Sequence, residues 1–150
     1  MKESIGTSYL FQIVVVFVLL FTGYLCLSIN YARSYAVKNN IVNNIEREKG
    51  FNDTTRAKIS KYLSRVGFKS IGKCPNDYAA YDANGTYQGD GKKGVYCVQK
   101  VVTSAKHDDL PEKKYYRVVV FYKLDLPIFG SIFSFNNIGD TYQMGVKNQG

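Results

Sequence analysis

Two cysteines in the polar part of the chain, Cys74 and Cys97, are the residues best placed to do chemistry; the third, Cys26, lies inside an apolar run. The pair has no C-x-x-C spacing and no neighbouring histidine, which makes it a poor zinc site, since zinc takes four nitrogen or sulfur ligands. The chemistry open to it is oxidation. A disulfide closing this loop would stabilise the fold by roughly 3 kcal/mol and implies an oxidising, non-cytoplasmic compartment. Two buried thiols in a cytosolic domain are the alternative that the sequence leaves open.

The other reactive groups do not assemble into a site. His107, the single histidine, sits beside Asp108 and Asp109. Three adjacent residues cannot all converge on one ion, so a solvated loop is expected, and one loop histidine supplies no Ser-His-Asp or Cys-His system. The stretch "GDGKKG" departs twice from the phosphate-binding pattern G-x-x-x-x-G-K-S/T, with Thr86 in place of the first glycine and Lys93 in place of the hydroxyl residue. Asp82, Asn84 and Asp90 lack the calcium-loop spacing and its terminal Glu. Asn52 and Asn84 each begin an N-glycosylation triplet. We therefore expect a non-enzyme with no cofactor, no metal and no small-molecule substrate. Twenty Lys and Arg against twelve Asp and Glu give a field that favours anionic partners, but no nucleic-acid-binding module accompanies it, and no nucleic-acid partner is expected.

The elements that hold these residues begin with "MKESIGTSYLFQIVVVFVLLFTGYLCLSIN", in which residues 4–32 carry no charge. At 1.5 Å per residue, residues 10–29 span a hydrocarbon core of about 30 Å. The run is too long for a secretory signal and lacks a small-x-small cleavage site. Residues 13–21 are apolar all round, which excludes the core helix of a soluble domain. The reading is a short tail or leader over residues 1–8 and a transmembrane helix over 9–31, with Tyr9, Tyr24 and Tyr31 in the interfacial belts. Gln12 and Gly23 interrupt the run as small or polar residues do where membrane helices pack. The basic flank Arg33, Lys38, Arg47 and Lys49 argues for a cytoplasmic C-terminal side. The cysteine pair argues for the opposite, and the short N-terminal tail is easily retained inside. The chosen topology is single-pass in the cell membrane, with the N-terminus cytoplasmic and the C-terminal domain extracytoplasmic.

Helical period continues past the membrane run, with Tyr31, Tyr35, Val42 and Ile45 as the apolar stripe of a stalk over residues 32–50 that Gly50 ends. An α+β domain over residues 51–150 follows. Its helix starts at Asn52 or Asp53, buries Ile59, Tyr62, Leu63 and Val66, and closes at Gly67. Arg56, Lys58, Lys61 and Arg65 on its other faces read as a solvated surface. Beyond Phe68 the Gly, Asn, Asp and Pro density predicts turns between short strands. The runs 95–104 and 115–124 predict an antiparallel hairpin, with 132–135 and 141–146 as further strand candidates.

Two stretches resemble a known family. "MKESIG" followed by "TSYLFQIVVVFVLLF" is similar to a class III prepilin start, and "YRVVVFYKLDLPIFGSIFSFNNIGDTY" resembles the ending of TadE-like pseudopilins of bacterial tight-adherence pili. The resemblance covers both ends and the lollipop layout; the middle, with its cysteine pair, is not matched. It implies a bitopic subunit that assembles with other pilin-like or platform membrane proteins, and a leader cut between Gly6 and Thr7. Where pilins usually carry a Glu soon after the cut, this chain has Phe11 and Gln12, so Gln12 is the polar residue available for that contact. A membrane-anchored extracytoplasmic binding module with no filament role is the alternative.

Overall fold

The computed structural model describes residues 2–104, 112–126 and 130–145. The fold is α+β: a long N-terminal helix, a second helix, and antiparallel sheet. Helix α1, Lys2–Arg47, runs 46 residues without interruption, roughly 70 Å at 1.5 Å per residue. It starts earlier than Tyr9, the expected first residue, so the polar tail is the helix's opening turns. It also ends differently. Lys49, not Gly50, takes the left-handed conformation (φ 54°). The Gly50 N–H donates to the Ile45 carbonyl at 3.0 Å and the Lys49 N–H to Glu46 at 3.2 Å, the paired bonds of a Schellman stop in which Gly50 is the residue after the left-handed one.

Helix α2, Asp53–Val66, is capped as its sequence predicts. The Asn52 side chain accepts from the Thr55 N–H at 2.9 Å, and Gly67 turns left-handed at φ 65°, a backbone conformation that favours a residue without Cβ. Its buried face is Thr55, Ile59 and Leu63. Val66 is exposed, because the chain has already turned away at Gly67 to bring Phe68 back against the core.

Among the described residues, eight strands follow: β1 (Gly72–Lys73), β2 (Ala79–Tyr81), β3 (Tyr87–Asp90), β4 (Lys93–Gly94), β5 (Tyr96–Ser104), β6 (Lys113–Leu126), β7 (Gly130–Asp140) and β8 (Met144–Gly145). The main sheet has the order β3-β2-β5-β6-β7, with β8 pairing the start of β6, while β1 and β4 form a separate two-stranded ribbon. Every pairing is antiparallel. The predicted hairpin is β5–β6, with Val98 opposite Val118. Its charged connection, carrying His107, Asp108, Asp109 and Pro111, lies outside the described residues.

Side chains alternate across this sheet, and both of its faces are covered. Tyr96, Val98, Tyr116, Val118 and Val120 join Val37, Ile41 and Ile45 of α1 and Ile59 and Leu63 of α2 in one core. Cys97, Val119 and Phe121 face the other way and join Cys74, Tyr78 and Ala80 in a second, smaller core. The unbroken apolar run "VVVF" in β6 follows from this double coverage, as in any strand buried on both sides. The lid of the second core is the turn-rich segment, and it packs hard. A Cβ on Gly72 would stand 2.3 Å from the Phe121 ring, so only glycine lets β1 lie across that ring.

Candidate functional site

The disulfide is formed. Cys74 and Cys97 are joined by an S–S bond across a sequence separation of 23, and both are buried. It ties the segment before β2 to the middle of β5 and so fastens the lid of the second core to the sheet. Its sulfurs are internal, and its place is structural. Cys26 is free and half-buried on α1.

The remaining sequence-designated residues all lie on α1, where they divide by height. Gly6 and Thr7 are in its first turns, and a Cβ at Gly6 would meet nothing within 4 Å. The Thr7 hydroxyl donates to the Glu3 carbonyl at 2.9 Å, and Thr22 donates to Val18 at 2.8 Å. These hydroxyls bond within the helix itself, which removes the cost of carrying them through an apolar medium. Gln12 is exposed and Gly23 half-exposed. From Leu10 to Phe21 the helix is uncovered: Leu10, Phe11, Phe17, Leu20 and Phe21 are exposed, and no residue of the most apolar window is buried. This part of α1 is a candidate membrane span by length and composition.

Higher up, the contact face differs from the predicted stripe. The buried positions are Ser34, Val37, Ile41 and Ile45, at helical spacings of 3, 4 and 4 (from 34 to 37, 41 and 45). Of the predicted residues, Ile45 is fully buried and Val42 packs at the edge of the core. Tyr31 and Tyr35 remain 48% and 46% exposed. They stack on each other at 6.3 Å, and Lys38 sits over the Tyr35 ring. The sheet approaches α1 closely, and small or β-branched residues fit such an approach where tyrosines do not. The repeat Val37, Ile41, Ile45 was the signal in the sequence that could have found this ridge.

Where the domain begins, sheet and helix form an aromatic group. Tyr31 meets Tyr122 edge-on at 5.9 Å, and Tyr122 stacks on Phe135 at 5.2 Å. With Tyr24, Leu27 and Ser28 they line an open recess of about 250 Å³. A second recess, about 290 Å³, lies at the far end between Asn43, Glu46, Arg47 and Tyr142, where the Tyr142 N–H donates to the Glu46 carboxylate at 3.1 Å.

Several polar groups elsewhere are occupied locally. On α2, Arg56 pairs with Asp53 and Lys58 with Glu48, while Arg65 lies over the Tyr62 ring, as a solvated face would have it. Asp82 accepts from the Asn84 and Thr86 N–H groups at 2.9 and 2.8 Å, which makes it the organiser of the β2–β3 turn. Among the described residues, no three His, Cys, Asp or Glu side chains converge as a metal site would require. What α1 and the aromatic group offer is contact surface. No protein-family model, curated protein or solved structure matches this chain.

Proposed function

We propose that this chain is a membrane-anchored, pilin-like structural subunit that uses the lower half of α1 as both anchor and assembly surface. One observation carries the reading: a single unbroken helix is uncovered and apolar over its first half and forms part of a folded core over its second half. A binding module held at a membrane needs only a tether. Here no turn separates the apolar half from the half clamped by Val37, Ile41 and Ile45, so the domain keeps a fixed orientation to whatever surrounds the helix. That rigidity suits a subunit that must be placed in register with others. The same apolar surface fits lipid before assembly and neighbouring helices afterwards, with Gln12 and Gly23 as close-approach positions. The resemblance of both ends to prepilins and TadE-like pseudopilins supports the same reading. The disulfide supports an extracytoplasmic domain.

Photo-crosslinkers placed at Phe17 and at Gln12 in native membranes test it. The expected products are adducts to other membrane helices, diminished by Gln12→Leu. Lipid adducts alone would overturn the assembly role and leave an anchored binding module. Topology is read separately. After reduction, a membrane-impermeant thiol reagent should reach Cys74 or Cys97 in intact cells, and protection of both until lysis would place the domain inside. If a prepilin peptidase acts, the mature chain begins at Thr7 by intact mass, and Gly6→Phe blocks the cut.

A further inference from the structure

The cover on α1 reaches further down than its buried core positions. From Glu3 to Thr22 every residue is exposed. Above that, one stripe is covered: Gly23, Cys26, Leu27 and Asn30 are half-buried, and Ser34, Val37, Ile41 and Ile45 are buried. Steps of three and four residues keep them all on one side of the helix. Contacts of the β6–β7 pair descend α1 in the same order. Gly139 lies against Lys38, Asn137 bonds to Ser34, and Tyr122 meets Tyr31 edge-on. Tyr122 and Phe135 then share a recess with Leu27, Ser28 and Tyr24.

Sheet beside the helix limits where lipid can be. β7 is the last strand of the main sheet, and among the described residues no strand pairs its outer edge. Hydrocarbon offers no partner to the N–H and C=O groups of an open edge, so such edges are kept out of it. We infer that the bilayer core holds residues 4–22 of α1, lower than the 10–29 expected from length and hydropathy, and that Gln12 lies at its midplane. This rests on the reading of α1 as a membrane span. The stretch begins directly after the charge of Glu3 and ends where the covered stripe starts. Its length is about 28 Å, against a core of about 30 Å.

The shift changes what Gln12 is for. With Ile13 at the centre, Gln12 is about 1.5 Å from the midplane, whereas a span over 10–29 puts it about 11 Å away. The hydroxyls of Thr7 and Thr22 bond back to their own helix, but the Gln12 carboxamide has no partner among the described residues. At that depth no water reaches it, and a polar group on a second helix is what satisfies it. The assembly reading asks this of the same position. Tyr9 falls inside the lipid on this placement. Helix side chains lean toward the N-terminus, so its hydroxyl reaches for the N-terminal headgroups, while Tyr24 takes the opposite interface.

The chain has no tryptophan, so single Trp probes report depth without background. Ile13, Leu20 and Ile29 are all exposed, and Ile13→Trp, Leu20→Trp and Ile29→Trp variants of the full chain disturb no core. Each is placed in phosphatidylcholine–phosphatidylglycerol vesicles whose acyl chains are brominated either near the headgroup or near the methyl end. Protease resistance and an intact Cys74–Cys97 bond report folding, and Val14→Trp and Phe21→Trp stand in for a probe that fails to fold. The expected result is that deep bromines quench Ile13→Trp most. Leu20→Trp, about 10 Å above the midplane, should be quenched by shallow bromines more than by deep ones, and Ile29→Trp by neither. Deepest quenching at Leu20→Trp, with shallow quenching at Ile29→Trp, restores the span over 10–29 and overturns this inference while sparing the anchor. Shallow quenching at all three probes lays the helix along the surface, and no quenching at any removes it from lipid. Either result overturns the anchor and this inference with it.

Discussion

The side chain of Asn137 on β7 donates a hydrogen bond to the hydroxyl of Ser34 on α1, 103 residues earlier in the chain. Ser34 is the first fully buried position along α1. The bond therefore sits where α1 passes from uncovered helix to core. Ser34→Ala should lower stability by about 1 kcal/mol, the net worth of one such bond, because Asn137 is half-exposed and can turn to water. Urea unfolding of the detergent-solubilised full chain checks this. A loss of several kcal/mol would show instead that Asn137 is left buried and unsatisfied.

Neighbouring positions on α1 should respond very differently to charge. Ile41 is completely buried between α1 and the sheet, so Ile41→Lys should abolish folding, with an ammonium forced into an apolar core. Val42 lies at the edge of that core, where a lysine stem can reach water, and Val42→Lys should fold with a lowered unfolding midpoint. Circular dichroism and protease resistance distinguish the two. Equal damage from both would mean that the domain packs more deeply onto α1 than these contacts indicate.

The second core depends on its lid. Replacing both Cys74 and Cys97 with alanine should cost about 3 kcal/mol, the chain-entropy value for a loop of this size, and should release residues 72–94 to limited proteolysis while β5–β6 stays protected. Gly72→Val should act on the same segment with the disulfide intact, since its side chain would collide with the Phe121 ring. If Gly72→Val leaves the segment as protected as in the native chain, the close approach of β1 to Phe121 is wrong.

Tyr96 predicts a pH dependence. Its ring is buried and its hydroxyl has no hydrogen-bond partner. Burial raises the phenol pKa well above its ordinary 10.0, with Tyr81 and Asp82 adding to the rise and Arg56 opposing it. Above pH 10 the unfolded chain has lost this proton while the folded chain keeps it, so the unfolded state binds fewer protons and stability falls as pH rises. Below about pH 10 this contribution is constant. Lysines titrate in the same window, so the difference between the native chain and Tyr96→Phe carries the information. Tyr96→Phe should be as stable as the native chain or more so at pH 7, because no bond is lost, and should lose less stability between pH 9 and pH 12. Parallel thermal unfolding across that range checks it. Identical slopes would place the phenol in contact with solvent.

Much of this protein was fixed by local chemistry and is legible in its residues. The uncharged run at residues 4–32 determines an apolar helix whatever surrounds it, because no register of that run offers a polar face. Asn52 and Gly67 determine the ends of α2, since a side-chain cap and a left-handed glycine act within a few residues. Dense β-branched and aromatic residues determine β5 and β6. Tertiary structure decided what the helix and strands turn toward each other. Tyr31 and Tyr35 are the most apolar-looking positions of the stalk by size, yet the sheet settles on Ser34, Val37, Ile41 and Ile45, because a close helix–sheet approach selects shape over hydrophobicity. The Schellman stop at Lys49 was hidden for a related reason: Gly50 carries the local signal, while a lysine is held left-handed once packing at Ile45 and the entry to α2 determine the path between them. The pairing of Cys74 with Cys97 was legible because only two cysteines lie outside the apolar run. That the bond fastens a lid over Val119 and Phe121, and that the β6–β7 hairpin descends beside the helix, depends on strand order and register, which are set by contacts between residues far apart in the chain.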